Sequence, residues 1–126
     1  MTNNRFAARP NFFLVGAPKS GTSAMYRMLT HHPDVFMCYP KEPHFFATDL
    51  REEADTRGFR GTLFFVRDEE QYLSLFRGVE SQTIVGEAST NYLYSTVAAQ
   101  RIAEFNPAAR ILIMLREPVS FILAAH

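Results

Sequence analysis

Tryptophan is absent from the 126 residues, cysteine occurs once, and the acidic and basic side chains cancel at thirteen each. The lone Cys38 rules out an intrachain disulfide framework. With no net charge and a pI near 6.9, the chain has no global field for holding nucleic acid or an anionic membrane. Any anion site must therefore be local. No window approaches the ~18 uninterrupted apolar residues of a membrane span. The start, MTNNRFAARP, lacks the apolar run of a signal peptide or anchor, which predicts a soluble, cytoplasmic protein. His31, His32 and Cys38 do not make a metal-ligand pattern, because adjacent histidines at a helix end point in different directions. Repeats and low-complexity tracts are missing too. Twelve phenylalanines stand against no tryptophan, a bias that carries no functional inference.

What is present is a globular composition. Hydrophobic residues make up 47% of the chain, enough for a single domain that buries ~65% of its unfolded surface. Phe12 to Val15 is a continuous apolar run, as in a strand covered on both faces. A helix is expected from about Gly21 to Thr30, with Ala24, Met25, Met28 and Leu29 on one side, ending at His32-Pro33. Val35 to Cys38 reads as a second strand. The charged stretch Arg51 to Gly61, with two glycines, reads as a mobile loop. Asp68 caps a helix with Gln71 three residues on, its buried stripe being Tyr72, Leu75 and Phe76, and Gly78 closes it. A short strand begins at Ile84 and ends near Glu87. Ser95 opens a helix whose Ala98, Ile102 and Phe105 face inward and which Asn106-Pro107 stops. Ile111 to Leu115 reads as another fully apolar strand, and Pro118 stands at a first helical position. Strands alternating with helices give an α/β fold with a parallel sheet, and ligands in such folds bind beyond the carboxyl ends of strands.

One segment narrows the function more than the rest together. FFLVGAPKSGTS, Phe12 to Ser23, runs from an apolar strand through a glycine loop into a helix start. There, backbone N–H groups without intrahelical partners form an electropositive cradle for phosphate. Gly16 and Gly21 have the spacing of the nucleoside-triphosphate loop, but Thr22 occupies the lysine position of that pattern. The lysine is Lys19, inside the loop, where its ammonium approaches the transferred group from a different side than in an ATPase. A tight strand-to-helix turn would need Gly and Pro. It would not need a lysine flanked by Ser20, Thr22 and Ser23. The segment reads as an anionic nucleotide site other than an ordinary ATP site.

These residues resemble the 5′-phosphosulfate-binding loop of the sulfotransferases that use 3′-phosphoadenosine-5′-phosphosulfate (PAPS). KEPHFF, Lys41 to Phe46, resembles the segment carrying the acceptor-activating glutamate in the heparan-sulfate-type branch of that family, while the lack of an N-terminal anchor leans toward a bacterial type of enzyme. ARILIMLREPVSFILAAH, Ala109 to His126, is similar to the strand–loop–helix that binds the 3′-phosphate. GEASTNYLYS, Gly86 to Ser95, is a weaker echo of the segment linking a central strand to the substrate cleft. The resemblance implies a P-loop-like three-layer domain, a parallel sheet flanked by helices, over residues 1–126. Relatives run to about twice this length, and the closing apolar helix has no stop signal. Together these predict a domain truncated at its C-terminus.

The resemblance also assigns roles. Lys19 would stabilise the charge on the departing phosphate oxygen. The N–H groups of Ser20, Gly21 and Thr22, with the hydroxyls of Thr22 and Ser23, would hold the 5′-phosphate. Glu42 would be the general base, its pKa raised by an apolar wall of Phe45 and Phe46, and His44 would position it or the acceptor hydroxyl. An exposed Lys–Glu pair before a proline is the competing reading of this segment. Arg116 would clamp the 3′-phosphate, against the alternative of a strand-end ion pair with Glu117. The family's serine eight residues after that arginine is Ala124 here, which cannot supply the hydroxyl. Glu87 reads as a structural ion pair more readily than as a second carboxylate in the cleft, and Tyr92 and Tyr94 as packing more readily than as acceptor contacts. No metal is implied. The partners implied are the nucleotide co-substrate and a carbohydrate, glycolipid or other small-molecule acceptor, with no nucleic acid. Two alternatives stay open: a phosphate-loop nucleoside or nucleotide kinase, and a non-catalytic fragment that binds nucleotide.

Overall fold

The computed structural model describes residues 8–58 and 66–125. Four strands form one parallel sheet: β1 (Phe12–Leu14), β2 (Val35–Met37), β3 (Ile84–Ala88) and β4 (Arg110–Leu112). Their order is β2-β3-β1-β4, so β1 is central and pairs with both β3 and β4. Among the described residues four helices lie between them, α1 (Thr22–Thr30), α2 (Thr48–Thr56), α3 (Glu69–Ser74) and α4 (Ala98–Phe105), and α5 (Pro118–Ala125) follows β4. A 3₁₀ turn, Thr90–Tyr94, follows β3.

Successive strand side chains point to opposite faces, and the two faces build two cores. Leu14, Val35, Met37 and Ala88 pack with Met25, Tyr26 and Leu29 of α1. On the other face, Phe13, Val15 and Val85 meet Phe46, Ala54 of α2, Tyr72 of α3, and Ala98 and Ile102 of α4. Helix, sheet, helix is the three-layer arrangement expected from the sequence. The buried stripe of α1 differs from the expected one. Met28 is largely exposed and Ala24 is exposed, while Tyr26 turns inward and donates to the Cys38 carbonyl at 2.7 Å.

Three further expectations need correction. Much of the stretch read as a mobile loop is α2, because Leu50 and Ala54, four apart, suffice to seat it on the core. Asp49 fixes its start, accepting from the Ser95 hydroxyl at 2.6 Å and the Thr96 N–H at 2.9 Å. Arg67 grips its end through two bonds to Asp55. Residues 59–61 of that predicted loop lie outside the described residues. The helix capped by Asp68 is real, the carboxylate accepting from Gln71 N–H at 2.7 Å, but it ends at Ser74 rather than at Gly78. Gly78 instead leaves room for Phe36, whose ring would lie 3.2 Å from an added Cβ. The last apolar run forms strand only over Arg110–Leu112, which among the described residues pairs with β1 alone, and it is not covered on both faces, since Ile111 is 48% exposed. The remaining boundaries follow the sequence reading. Ser95 supports the start of α4 by accepting from the N–H groups of Val97 and Ala98.

Candidate active site

The glycine loop leaves the carboxyl end of β1 along the continuation of β4. Ala17 N–H donates to the Met114 carbonyl and Met114 N–H to the Gly16 carbonyl, each at 2.7 Å. Gly16 has φ 144°, and a Cβ there would lie 2.9 Å from the Thr90 carbonyl oxygen. Only glycine fits. Gly21, at φ 85°, occupies the N-cap of α1 without a side-chain cap, and the first turn holds no acidic residue. The N–H donors at this helix start therefore have neither a capping side chain nor an acidic side chain in the first turn to satisfy them. Ser20 and Thr22 are buried in the turn, whereas Lys19 and Ser23 are exposed.

Two contacts bring the KEPHFF segment to this loop. Lys41 Nζ donates to Ser23 Oγ at the start of α1. The second runs through Thr90, whose carbonyl oxygen closes over Gly16 while its N–H donates to Glu42 Oε1 at 2.8 Å. The Thr90 hydroxyl adds a bond to Glu42 Oε2 at 3.0 Å. His44 Nε2 lies 3.0 Å from Glu42 Oε1. Glu42 and His44 both occupy left-handed backbone, at φ 68° and 54°, which costs about 1–3 kcal/mol each. Glu42 is thus held in a strained, partly buried pose against the loop, not on a solvated surface.

The environment of Glu42 departs from the expected one. Burial pushes its carboxyl up, but the His44 ring and the Thr90 N–H and hydroxyl together outweigh burial and hold it below the ordinary glutamate value. Phe45 and Phe46 do not wall it in. They turn toward the core, where Phe45 stacks on Tyr72 at 4.5 Å and Phe46 meets Phe13 edge-on.

Arg116 follows β4 and donates from Nη1 to the Lys19 carbonyl at 2.9 Å, so it belongs to the loop's frame and not to a pair with Glu117. Glu117 instead accepts from the N–H groups of Val119 and Ser120 at the start of α5. Glu87 makes no ion pair among the described residues. It is fully buried and accepts from three hydroxyls, those of Tyr72, Tyr92 and Ser89. Tyr92 is accordingly packed, while Tyr94 is more than half exposed. His31 and His32 sit at the end of α1 bonded to local backbone, away from Cys38, which is buried. Thr90 and Ser89 are not singled out by the sequence reading, although both lie inside GEASTNYLYS; short polar residues beside a strand end are the only signal. Lys41 enters that reading only as half of an exposed Lys–Glu pair.

Three motifs thus converge beyond the carboxyl ends of β1, β2 and β4, and a profile of one family runs through all of them. The pattern described as "Sulfotransferase family" matches residues 10–125. The chain belongs to the sulfotransferase family. A crystal structure of a sulfotransferase from Alicyclobacillus acidocaldarius is similar over 94% of the chain, with 43% identity and a TM-score of 0.81, and the chain covers 49% of it. The membrane-associated sulfotransferase kil1 of Dictyostelium discoideum is 29% identical over 93% of the chain. Human carbohydrate sulfotransferase 15 is 28% identical over 91%. This sulfotransferase chain spans 22% and 26% of those two relatives' own lengths. Its P-loop-like fold is that of the family, and the phosphate-loop kinase alternative gives way.

Proposed function

We propose that the chain carries the donor site and the acceptor-activating carboxylate of a PAPS-dependent sulfotransferase. The observation that carries this reading is the double use of Thr90, which ties the glycine loop and Glu42 into one cleft. The uncapped start of α1 fits an anionic 5′-phosphate, with N–H donors from Ser20, Gly21 and Thr22 and hydroxyls from Thr22 and Ser23. Arg116, already bound to the loop backbone, is available for the 3′-phosphate. Ala124 supplies no hydroxyl beside it.

In the transfer itself, Glu42 takes the proton of the acceptor hydroxyl or amine as the new bond to sulfur forms. The bond from sulfur to the phosphate oxygen breaks, and the departing oxygen keeps the electron pair. Lys19 meets the charge that develops there. His44 holds the Glu42 carboxylate in place. The protein's contribution is positioning and electrostatics, as in phosphoryl transfer. The name of one relative, a carbohydrate sulfotransferase, supports a sugar-bearing acceptor, and glycolipids and small hydroxylated molecules share that chemistry.

Calorimetry with adenosine 3′,5′-bisphosphate against ATP tests the donor site. The bisphosphate binds without added metal and more tightly than ATP; magnesium-dependent ATP turnover would overturn the reading. Lys19→Ala is expected to lower transfer about 10²–10³-fold while leaving the fold intact. The chain spans 49% of its bacterial relative, and this favours a second outcome in which it binds the bisphosphate without completing the acceptor cleft. Binding without transfer by the wild-type chain identifies that case.

A further inference from the structure

Glu87 is fully buried at the end of β3 and takes no direct part in the transfer described above. Its surroundings are nevertheless built with care for direction. Ser89 Oγ donates to Oε1 at 2.5 Å, while the Tyr72 and Tyr92 hydroxyls donate to Oε2 at 2.6 and 2.7 Å. With the carboxyl oxygens accepting from all three, the hydroxyl protons turn toward Glu87 and the hydroxyl lone pairs face away. Two of those oxygens then serve the segment that bears the proposed base. His44 N–H donates to Ser89 Oγ at 3.0 Å, and Phe46 N–H donates to Tyr92 Oη at 3.2 Å. Glu42 N–H completes the series by donating to the Ala88 carbonyl at 2.6 Å. Every second N–H from residue 42 to residue 46 is thus held by the last residue of β3 or by the segment that follows it.

We infer that Glu87 is a positioning residue for the transfer step: through the Ser89 and Tyr92 hydroxyls it fixes the left-handed backbone that aims Glu42 and His44. This rests on Glu42 being the base. A buried carboxylate there has a cost that packing alone does not repay. An apolar residue with no hydroxyls around it would fill the same space but could not set the direction of two hydroxyl rotors. The ionisable groups facing Glu87 are Tyr72 from α3, Tyr92 from the 3₁₀ turn, Cys38 after β2, and His44. Burial pushes the Glu87 carboxyl up, while its three hydroxyl partners and the nearby His44 oppose that rise. A carboxamide in its place keeps one acceptor and adds two donors, so the Ser89 or Tyr92 hydroxyl must turn a lone pair inward and swing its proton outward, where it disturbs the bond to the backbone N–H that the oxygen accepts.

The test follows the titration of Glu42 by carbon NMR on glutamate-labelled full-length chain, with the resonance assigned through Glu42→Gln. In Glu87→Gln the Glu42 midpoint is expected to rise by about one pH unit, as its bonds to Thr90 and His44 loosen. Affinity for adenosine 3′,5′-bisphosphate stays within about twofold, because the glycine loop itself is untouched. If Glu87→Gln does not fold, Ser89→Ala and Tyr92→Phe, each removing one hydroxyl, decide by the same midpoint. A folded variant whose thermal midpoint falls while Glu42 titrates as in the wild type overturns the inference and leaves Glu87 a purely structural residue. The titration needs neither donor nor acceptor. Absence of sulfate transfer by the wild-type chain therefore counts against the functional reading alone, and the midpoint still decides the role of Glu87.

Discussion

Two carboxyls, Glu42 in the segment after β2 and Glu87 within β3, respond to the fold in opposite directions. Glu42 is held below its ordinary value and Glu87 above it. For Glu42 the bonds stabilise the folded chain fully above the ordinary glutamate range, and that contribution is lost as pH falls through the lowered folded value. For Glu87 the contribution is present below the ordinary range and is lost as pH rises through the raised folded value. An enzyme using Glu42 as its base should therefore keep activity to lower pH than a free glutamate allows. His44→Ala removes one of the groups holding Glu42 down, so the acid limb of kcat/KM is expected to move upward; an unmoved limb would separate His44 from the base. The placement of Glu42 beside the glycine loop was legible in the sequence because KEPHFF is a compact motif just past a strand end. Its electrostatics were not. Two phenylalanines next in sequence looked like an apolar wall, but the left-handed residues Glu42 and His44 turn the chain so that both rings enter the core.

Among elements, strand-to-helix junctions were easier to read than the helices themselves. β1, the glycine loop and α1 lie where the apolar run, Gly16, Gly21 and the polar helix start put them. α2 was hidden because its sequence, TDLREEADT, is mostly charged and its apolar face is only Leu50 and Ala54. Its seat depends on Asp49 and Arg67, long-range partners that no local pattern reveals. The junction after β1 makes the sharper prediction. Gly16→Ala must place a methyl against the Thr90 carbonyl and Leu93 while keeping a φ that side chains avoid. Overpacking alone costs about 1–3 kcal/mol, and denaturant titration should show at least that loss. Stability within a few tenths of the wild type would mean that the loop does not rest on Thr90.

Across the whole molecule, the sheet has one well-covered end and one bare end. Among the described residues β4 pairs on one side only, and Ile111, Ile113, Leu115, Val119, Ile122 and Leu123 leave an apolar surface exposed along β4 and α5. Unpaired strand edges of this kind template association, and contiguous apolar patches seek cover. The 126-residue chain on its own is expected to bind a hydrophobic dye and to associate with rising concentration. Ile113→Lys with Leu115→Lys should reduce both, and a dye-negative monomer in sedimentation would refute the expectation. Parallel order and three layers were legible in the alternation of runs. The bareness of β4 was not, since an apolar pentamer reads alike in the centre of a sheet and at its margin.

Thr90 touches the glycine loop with its carbonyl and the proposed base with its N–H and hydroxyl, which makes residues 88–92 a shared hinge-pin between two halves of the proposed chemistry. Anyone grafting this acceptor segment into another scaffold would have to transplant that pentapeptide with it. Exchanging Lys41 to Phe46 alone would move the carboxylate and leave behind the mould that shapes it.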